Sequence, residues 1–274
     1  MAGLRQRLEG RTVIASISGG KDSAAMSLFL HEQGIEHERV FIDTGWEHPA
    51  TYDYIRGPLA EAIGPITEIR AERQMVDLIR HKGTFPSKQR RWCTQELKVR
   101  PLRDYIRGLI DGGADVINAV GIRAAESQAR ARMPEWEWSP WLDCETWRPL
   151  LRWTDEDVIA IHRRHGLPPN PLYLMGAERV GCWPCIFARK SEIRLIADTD
   201  PGRIAQIDEL ERELSERAGE PRGWFQAPLG GKGVWPIEEV VRWSRTSRGG
   251  RQYELFASTD SGCMRWGLCE TEAP

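Results

Sequence analysis

The sequence has no apolar run approaching the roughly 20 residues that a membrane-spanning helix needs, and its formal net charge is only -2. The first absence excludes helical membrane spans. The second excludes a global electrostatic pull toward nucleic acid or an acidic surface, so any anion site has to be local. Residues 1–11 lack the apolar core of a secretory signal, and the expectation is a cytoplasmic protein. That compartment is reducing, which argues against structural disulfides among the six Cys. The six His fall at no metal-ligand spacing; His162 and His165, just before Gly166, suit a charge role at a helix C-terminus. No internal repeat and no long low-complexity segment is present, which excludes solenoids and fibrous arrays.

What is present is a globular composition, 41% hydrophobic over 274 residues, sufficient for a buried core. Residues 12–18, 39–44, 66–71 and 115–122 read as short β-branched strands ending in turns, with 147–151 as a fifth. Between them, residues 23–33, about 49–63, 74–81 and 99–110 read as helices. Strand–helix alternation at this spacing predicts an α/β fold with a doubly wound, five-stranded parallel sheet. Thr154 with Asp157 three residues on predicts a capped helix, which ends near Gly166. After Leu167-Pro168-Pro169-Asn170-Pro171 the character changes to cysteines, turns and a charged helix over about 201–218. The expected division is 1–165, a nucleotide-binding α/β domain, and 166–274, a cysteine-containing helical and loop extension packed on it.

Ser18-Gly19-Gly20-Lys21-Asp22-Ser23 lies between the first strand and the first helix. Two glycines let the backbone approach a ligand, and the N–H groups and dipole of the helix start favour an anion. Ser18 and Ser23 add hydroxyls and Lys21 a positive charge. The loop is not a Walker A sequence, because Ala15 and Asp22 stand where that pattern needs Gly and Ser or Thr.

Further motifs occur at strand ends and turns. Asp43-Thr44-Gly45 follows the second strand, where an acidic residue can accept from a ribose. Arg90-Arg91-Trp92-Cys93-Thr94-Gln95-Glu96-Leu97-Lys98-Val99-Arg100-Pro101-Leu102 concentrates arginines suited to oxyanions. Gly121-Ile122-Arg123-Ala124-Ala125-Glu126-Ser127 follows the fourth strand. Pro149-Leu150, Trp153-Thr154, Asp157-Val158 and Asn170-Pro171-Leu172-Tyr173 read as structural. Gly181-Cys182-Trp183-Pro184-Cys185 is a Cys-x-x-Cys turn. Together these segments resemble the PP-loop ATP pyrophosphatase superfamily and, within it, the phosphoadenosine phosphosulfate (PAPS) reductase family, from about Thr12 to Phe187.

The resemblance implies an adenine nucleotide alpha hydrolase-like fold and binding of ATP or another adenine nucleotide with Mg²⁺. The implied nucleotide-binding residues are Ser18, Gly19, Gly20, Lys21, Asp22, Ser23, Asp43, Thr44, Gly121 and Arg123, with Lys21 and Arg123 as stabilisers of developing negative charge. Two thiolates at Cys-x-x-Cys spacing can hold one metal centre, and one branch of the family carries a [4Fe-4S] cluster there. The candidate ligands are Cys93, Cys182 and Cys185, completed by Cys263, Cys269, an external ligand or a bound sulfide; Cys182, Cys185, Cys263 and Cys269 are an alternative set. Zinc and free or redox-active thiols are the other readings. Trp92 stands where cluster-bearing members often have a cysteine. Cys144, in a polar linker, is expected to be a bystander.

Three functions remain open at this level. The first is ATP pyrophosphatase chemistry, adenylating an acceptor for sulfur transfer. The second is reduction of adenylyl or phosphoadenylyl sulfate by a nucleophilic tail cysteine, Cys263 or Cys269, with a thiol or electron-donor protein as partner; the tail order Gly-Leu-Cys-Glu differs from the family's Glu-Cys-Gly-Leu. The third is a nucleic-acid-associated module, for which Trp136, Trp138 and Trp141 after Arg130 and Arg132 speak.

Overall fold

Thr12–Ile17 (β1) is apolar and β-branched enough to be buried on both faces, and it takes a central place in the sheet. The computed structural model describes residues 2–226 and 233–246. The other sheet strands are β2 (Glu38–Asp43), β3 (Ile66–Arg70), β4 (Val116–Val120), β5 (Trp136–Ser139) and β6 (Cys144–Trp147), in the order β3-β2-β1-β4-β6-β5. All neighbouring pairs are parallel except β5 with β6. The chain runs outward from β1 to β3, then returns to place β4 on the other side of β1. The β1/β4 boundary is therefore a topological switch point, where the loops after adjacent strands diverge and leave a crevice.

The sheet has six strands rather than five. The extra one is β5, whose Trp-Glu-Trp-Ser alternation has the period of a strand. Trp136 faces Trp147 across the pair, and their rings stack with centroids 5.0 Å apart. Arg7 lies 3.9 Å over Trp136. Trp138 and Trp141 remain exposed, at 55% and 68%. The strand expected at 147–151 ends at Trp147, because Pro149 cannot donate to a ladder. Cys144 is not in a linker; it opens β6 in the core, and burial pushes its thiol up to about 11.

Two helices flank the switch point. Lys21–Glu32 buries Ala24, Ala25, Met26, Leu28 and Leu30, and the small residues let it lie close to the sheet. Asp155–Arg164 packs beside it and starts at the expected capping box of Thr154 and Asp157. The two helices are also tied at their far ends, where Arg164 and His165 reach Glu32. Those contacts hold Glu32 down to about 2.

Among the described residues the chain forms two compact units. The first comprises residues up to Asp43, Pro49–Ala71 and Glu96–Pro171. The second comprises Thr44–His48, Glu72–Gln95 and the residues from Leu172 on. The second unit gathers several of the tryptophans into its core. Trp46 and Trp224 stack at 5.0 Å, Phe85 tilts against Trp224, and Arg203 sits 4.0 Å above Trp46. No helix among the described residues is long and apolar enough to cross a membrane.

A buried carboxyl in this second unit gives a pH-dependent stability. Glu211 is 5% exposed and accepts from the backbone N–H groups of Trp224 and Ile237 at 2.8 Å each. Burial outweighs those donors and pushes it up from 4.5 to about 7. The folded chain then binds this proton more tightly than the unfolded chain, so stability falls as pH rises from 4.5 to 7. The expected loss is roughly 3 kcal/mol, from about 1.36 kcal/mol per unit. Urea midpoints measured at pH 5 and pH 7.5 check this, with Glu211→Gln flattening the difference.

Candidate active site

The loop after β1 turns on Gly19, whose φ of +73° favours glycine. A Cβ there would also stand 2.9 Å from Thr51 Cγ2. The hydroxyls expected to point at a ligand are engaged within the loop. Ser23 Oγ donates to Gly20 O at 3.0 Å and accepts from Ser18 N at 3.1 Å. Ser18 Oγ lies 3.1 Å from Ser23 Oγ and accepts from Gly20 N at 3.4 Å.

Two residues that the sequence assigned to other roles hold this backbone in place. His162 Nε2 meets Lys21 O at 2.8 Å; the ring is 1% exposed, and burial lowers its proton affinity, so it is neutral at pH 7. A neutral buried imidazole donating to a carbonyl replaces the expected helix-terminal charge role. Asn170, also 1% exposed, donates from Nδ2 to Gly19 O at 3.1 Å and to Thr51 Oγ1 at 3.4 Å. The Asn170-Pro171 turn thus closes onto the glycine loop. Asn170→Ala leaves Gly19 O without that donor, and about 1–3 kcal/mol of stability is the expected loss in a thermal melt, together with a weaker hold on any ligand at the loop.

The Gly121-Ile122-Arg123 segment brings the second half of the site. Gly121 crosses the first turn of the Lys21–Glu32 helix so closely that an added Cβ would lie 2.7 Å from Asp22 O. Arg123 is 3% exposed and forms a forked ion pair. Its Nε donates to Asp22 Oδ1 at 2.5 Å and its Nη2 to Asp155 Oδ1 at 2.8 Å. Lys21 Nζ reaches the same Asp155 oxygen at 2.9 Å and Asp22 Oδ2 at 3.3 Å. Burial works against the Arg123 charge, but the two carboxylates more than offset it. Burial likewise opposes the Asp155 charge, yet Lys21 and then Arg123 hold its carboxyl below the usual range. Arg123 Nη1 is buried with no hydrogen-bond partner among the described residues. A donor left over beside a glycine loop, at a switch point and two helix starts, is suited to an anion.

Asp43 ends β2 with 4% exposure, accepting from Tyr52 Oη at 2.7 Å and facing Arg70 Nη2 at 3.5 Å. Thr44 belongs to the second unit, where its hydroxyl donates to Glu47 at 2.8 Å.

The described cysteines of the expected metal set, Cys93, Cys182 and Cys185, all fall in the second unit and are half-buried. Cys182 Sγ donates to the buried Glu47 carboxylate at 4.0 Å, while Cys185 stands beside Arg179. Among the described residues no three His, Cys, Asp or Glu side chains are grouped closely enough to hold one ion. Those three thiols therefore do not by themselves make the donor set of a cluster, which needs four. Cys263 and Cys269 lie outside the described residues.

Residues 12–188 match the phosphoadenosine phosphosulfate reductase domain family. The chain belongs to this family. Its members lie in the PP-loop superfamily, and the strand order and switch-point loop are those of an adenine nucleotide alpha hydrolase-like fold. The PAPS reductase of Candida auris, solved as a phosphate complex, shares this fold with a TM-score of 0.52 and 22% identity, over 66% of this chain and 86% of that one. An uncharacterized 37.8 kDa protein of Escherichia phage 186 is 34% identical, covering 94% of this chain and 96% of the relative. The adenosine 5'-phosphosulfate reductase of Deinococcus radiodurans is 30% identical over 58% of this chain and 60% of its own. An uncharacterized protein of Methanocaldococcus jannaschii is 28% identical, and the chain spans 45% of its length.

Proposed function

We propose that the chain binds ATP at the Ser18–Ser23 loop and splits it between the α and β phosphates, adenylating an acceptor at which a thiolate-level sulfur donor then forms the new bond as the bond to AMP breaks and AMP leaves with that electron pair. The observation that carries this reading is the convergence of Lys21 Nζ and Arg123 Nη2 on one anionic oxygen at the mouth of an intact glycine loop. A nucleophile of the acceptor forms the new bond to the α-phosphorus, the bond to the bridging oxygen breaks, and pyrophosphate leaves with that electron pair. Lys21, Arg123 and the N–H groups of the helix start stabilise the charge that builds on the leaving phosphates. Asp43 is the proposed acceptor of the ribose hydroxyls. Mg²⁺ is commonly held by one or two carboxylates, waters and phosphate oxygens, so Asp22 with the triphosphate would suffice; bound there, it would neutralise phosphate charge.

Reduction of adenylyl or phosphoadenylyl sulfate is the second reading, favoured by relatives that are adenosine 5'-phosphosulfate reductases. It needs a nucleophilic Cys263 or Cys269 and a thiol or electron donor. The third, nucleic-acid association, keeps the exposed Trp138 and Trp141 in its favour.

One pair of assays separates the first two. Pyrophosphate release from ATP, with no thiol-dependent sulfite release from adenylyl sulfate, is the expected result. Sulfite release that disappears in Cys263→Ser or Cys269→Ser would replace the first reading with the second. Anaerobic purification with a visible spectrum, repeated on Cys182→Ala, tests an iron–sulfur centre, and metal analysis of the same samples tests zinc.

A further inference from the structure

The family resemblance gives a structural role to the segment that opens the Asp155–Arg164 helix, yet the Asp155 side chain takes no part in the cap. Thr154 and Asp157 make the capping box between themselves. Asp155 instead turns toward the loop, and its Oδ1 alone accepts from Lys21 Nζ at 2.9 Å and Arg123 Nη2 at 2.8 Å. We propose that this oxygen occupies the place of a phosphate oxygen, and that Asp155 has to release Lys21 and Arg123 before a polyphosphate can bind. The proposal rests on the polyphosphate reading of the loop and deepens it: Asp155 sets a charge threshold for ligands.

Three features make Asp155 the exchangeable partner. The first is exposure, 44% for its side chain against 10% for Lys21 and 3% for Arg123, so the cations are fixed and the anion is reachable by water. The second is that neither cation is left uncompensated by its departure. Asp22 still accepts from Arg123 Nε at 2.5 Å and from Lys21 Nζ at 3.3 Å. Arg123 Nη1, buried and without a partner among the described residues, adds a donor that the carboxylate does not use. The third is position. Asp155 lies in the first turn of its own helix, where a released carboxylate keeps a favourable dipole interaction. Charge-assisted N–H bonds of the same length form to phosphate and to carboxylate oxygens. A ligand with one diffuse charge gains little by replacing an anion already in place, whereas a polyphosphate brings several charges to the same donors. Asp155 thereby favours ATP and pyrophosphate over monoanionic esters.

Calorimetric titration of inorganic pyrophosphate into the full chain at fixed ionic strength tests this. Asp155→Asn is expected to tighten binding at least tenfold. Glu156→Gln removes an equal charge one residue away, from an exposed side chain outside the network, and is expected to change binding by less than about twofold, the part owed to the general field. Asp155→Ser is a second variant with the same expectation as Asp155→Asn, should the latter melt prematurely. In the wild-type chain the Asp155 carboxyl, followed by carbon NMR, should titrate at higher pH once pyrophosphate is bound. Binding by the wild type with no greater affinity in either Asp155 variant than in Glu156→Gln, or an unmoved carboxyl titration, overturns the Asp155 proposal and leaves the loop reading standing. If the wild type and all variants bind neither pyrophosphate nor ATP, the loop reading falls first and takes this one with it.

Discussion

Arg123→Ala is expected to abolish most pyrophosphate release from ATP, by a factor of about 10² to 10³, the usual cost of removing one donor aimed at developing charge. The same substitution should cost stability. It removes a guanidinium that is 3% exposed and leaves Asp22 and Asp155 to share Lys21. Breaking a fully buried pair costs about 3–5 kcal/mol, but the Asp155 side chain is 44% exposed and water screens its part. About 2 kcal/mol is the expected figure on that ground. Arg123→Lys keeps the charge but loses the planar fork, because one ammonium cannot reproduce the Nε and Nη2 contacts to two carboxylates. It should therefore recover stability more fully than activity. Urea melts and steady-state pyrophosphate release on the two variants separate these effects. Full turnover in Arg123→Ala with an unchanged KM for ATP would remove Arg123 from the site.

Gly121→Ala is expected to have the second largest effect, and for a different reason. Its φ is not in the left-handed region, so the cost is contact rather than conformation. The added methyl would meet Asp22 O at 2.7 Å, Asp22 C at 2.8 Å and Ser23 N at 2.9 Å. These are backbone atoms of the glycine loop and its helix, which cannot swing aside as a side chain can. Overpacking of this kind costs about 1–3 kcal/mol. The movement that relieves it also shifts the loop against Arg123, and a misplacement of about 1 Å can cost 10²-fold in rate. Gly108→Ala is the matched control, since a Cβ at Gly108 meets nothing among the described residues within 4 Å. That position is interior to the Arg100–Asp111 helix, so the control should stabilise the chain by up to about 1 kcal/mol. If both alanines melted alike and released pyrophosphate alike, the close crossing of Gly121 over the first turn of the Lys21–Glu32 helix would have no functional weight.

These two positions, unlike three of their neighbours, stand out in the sequence of the candidate site. Lys21, Asp22, Gly121 and Arg123 were legible because glycine and charge stand directly after strands, where a parallel sheet leaves its crevice. Asp155, His162 and Asn170 were not. Each lies more than 130 residues from the loop residue it touches. Each also sits in a segment with a sufficient local explanation: a capped helix start, a helix end, and a proline-bounded turn. Local sense hid long-range contact. The sixth strand is hidden in the sequence for a related reason. The Trp136–Ser139 alternation is only four residues long and lies among prolines, and it becomes a strand because β6 offers an edge and Trp147 a ring to stack on.

By itself the amino-acid order determined the alternating α/β class, the place of the glycine loop and the family, because those follow from short-range periodicity and from residues at fixed offsets. The three-dimensional arrangement alone decided which charges meet. Lys21, Asp22, Arg123 and Asp155 form one network only after β1 and β4 have become neighbours and two helices have been laid side by side. Ion pairs act over a few ångströms, and no spacing along a chain reports distances across a fold.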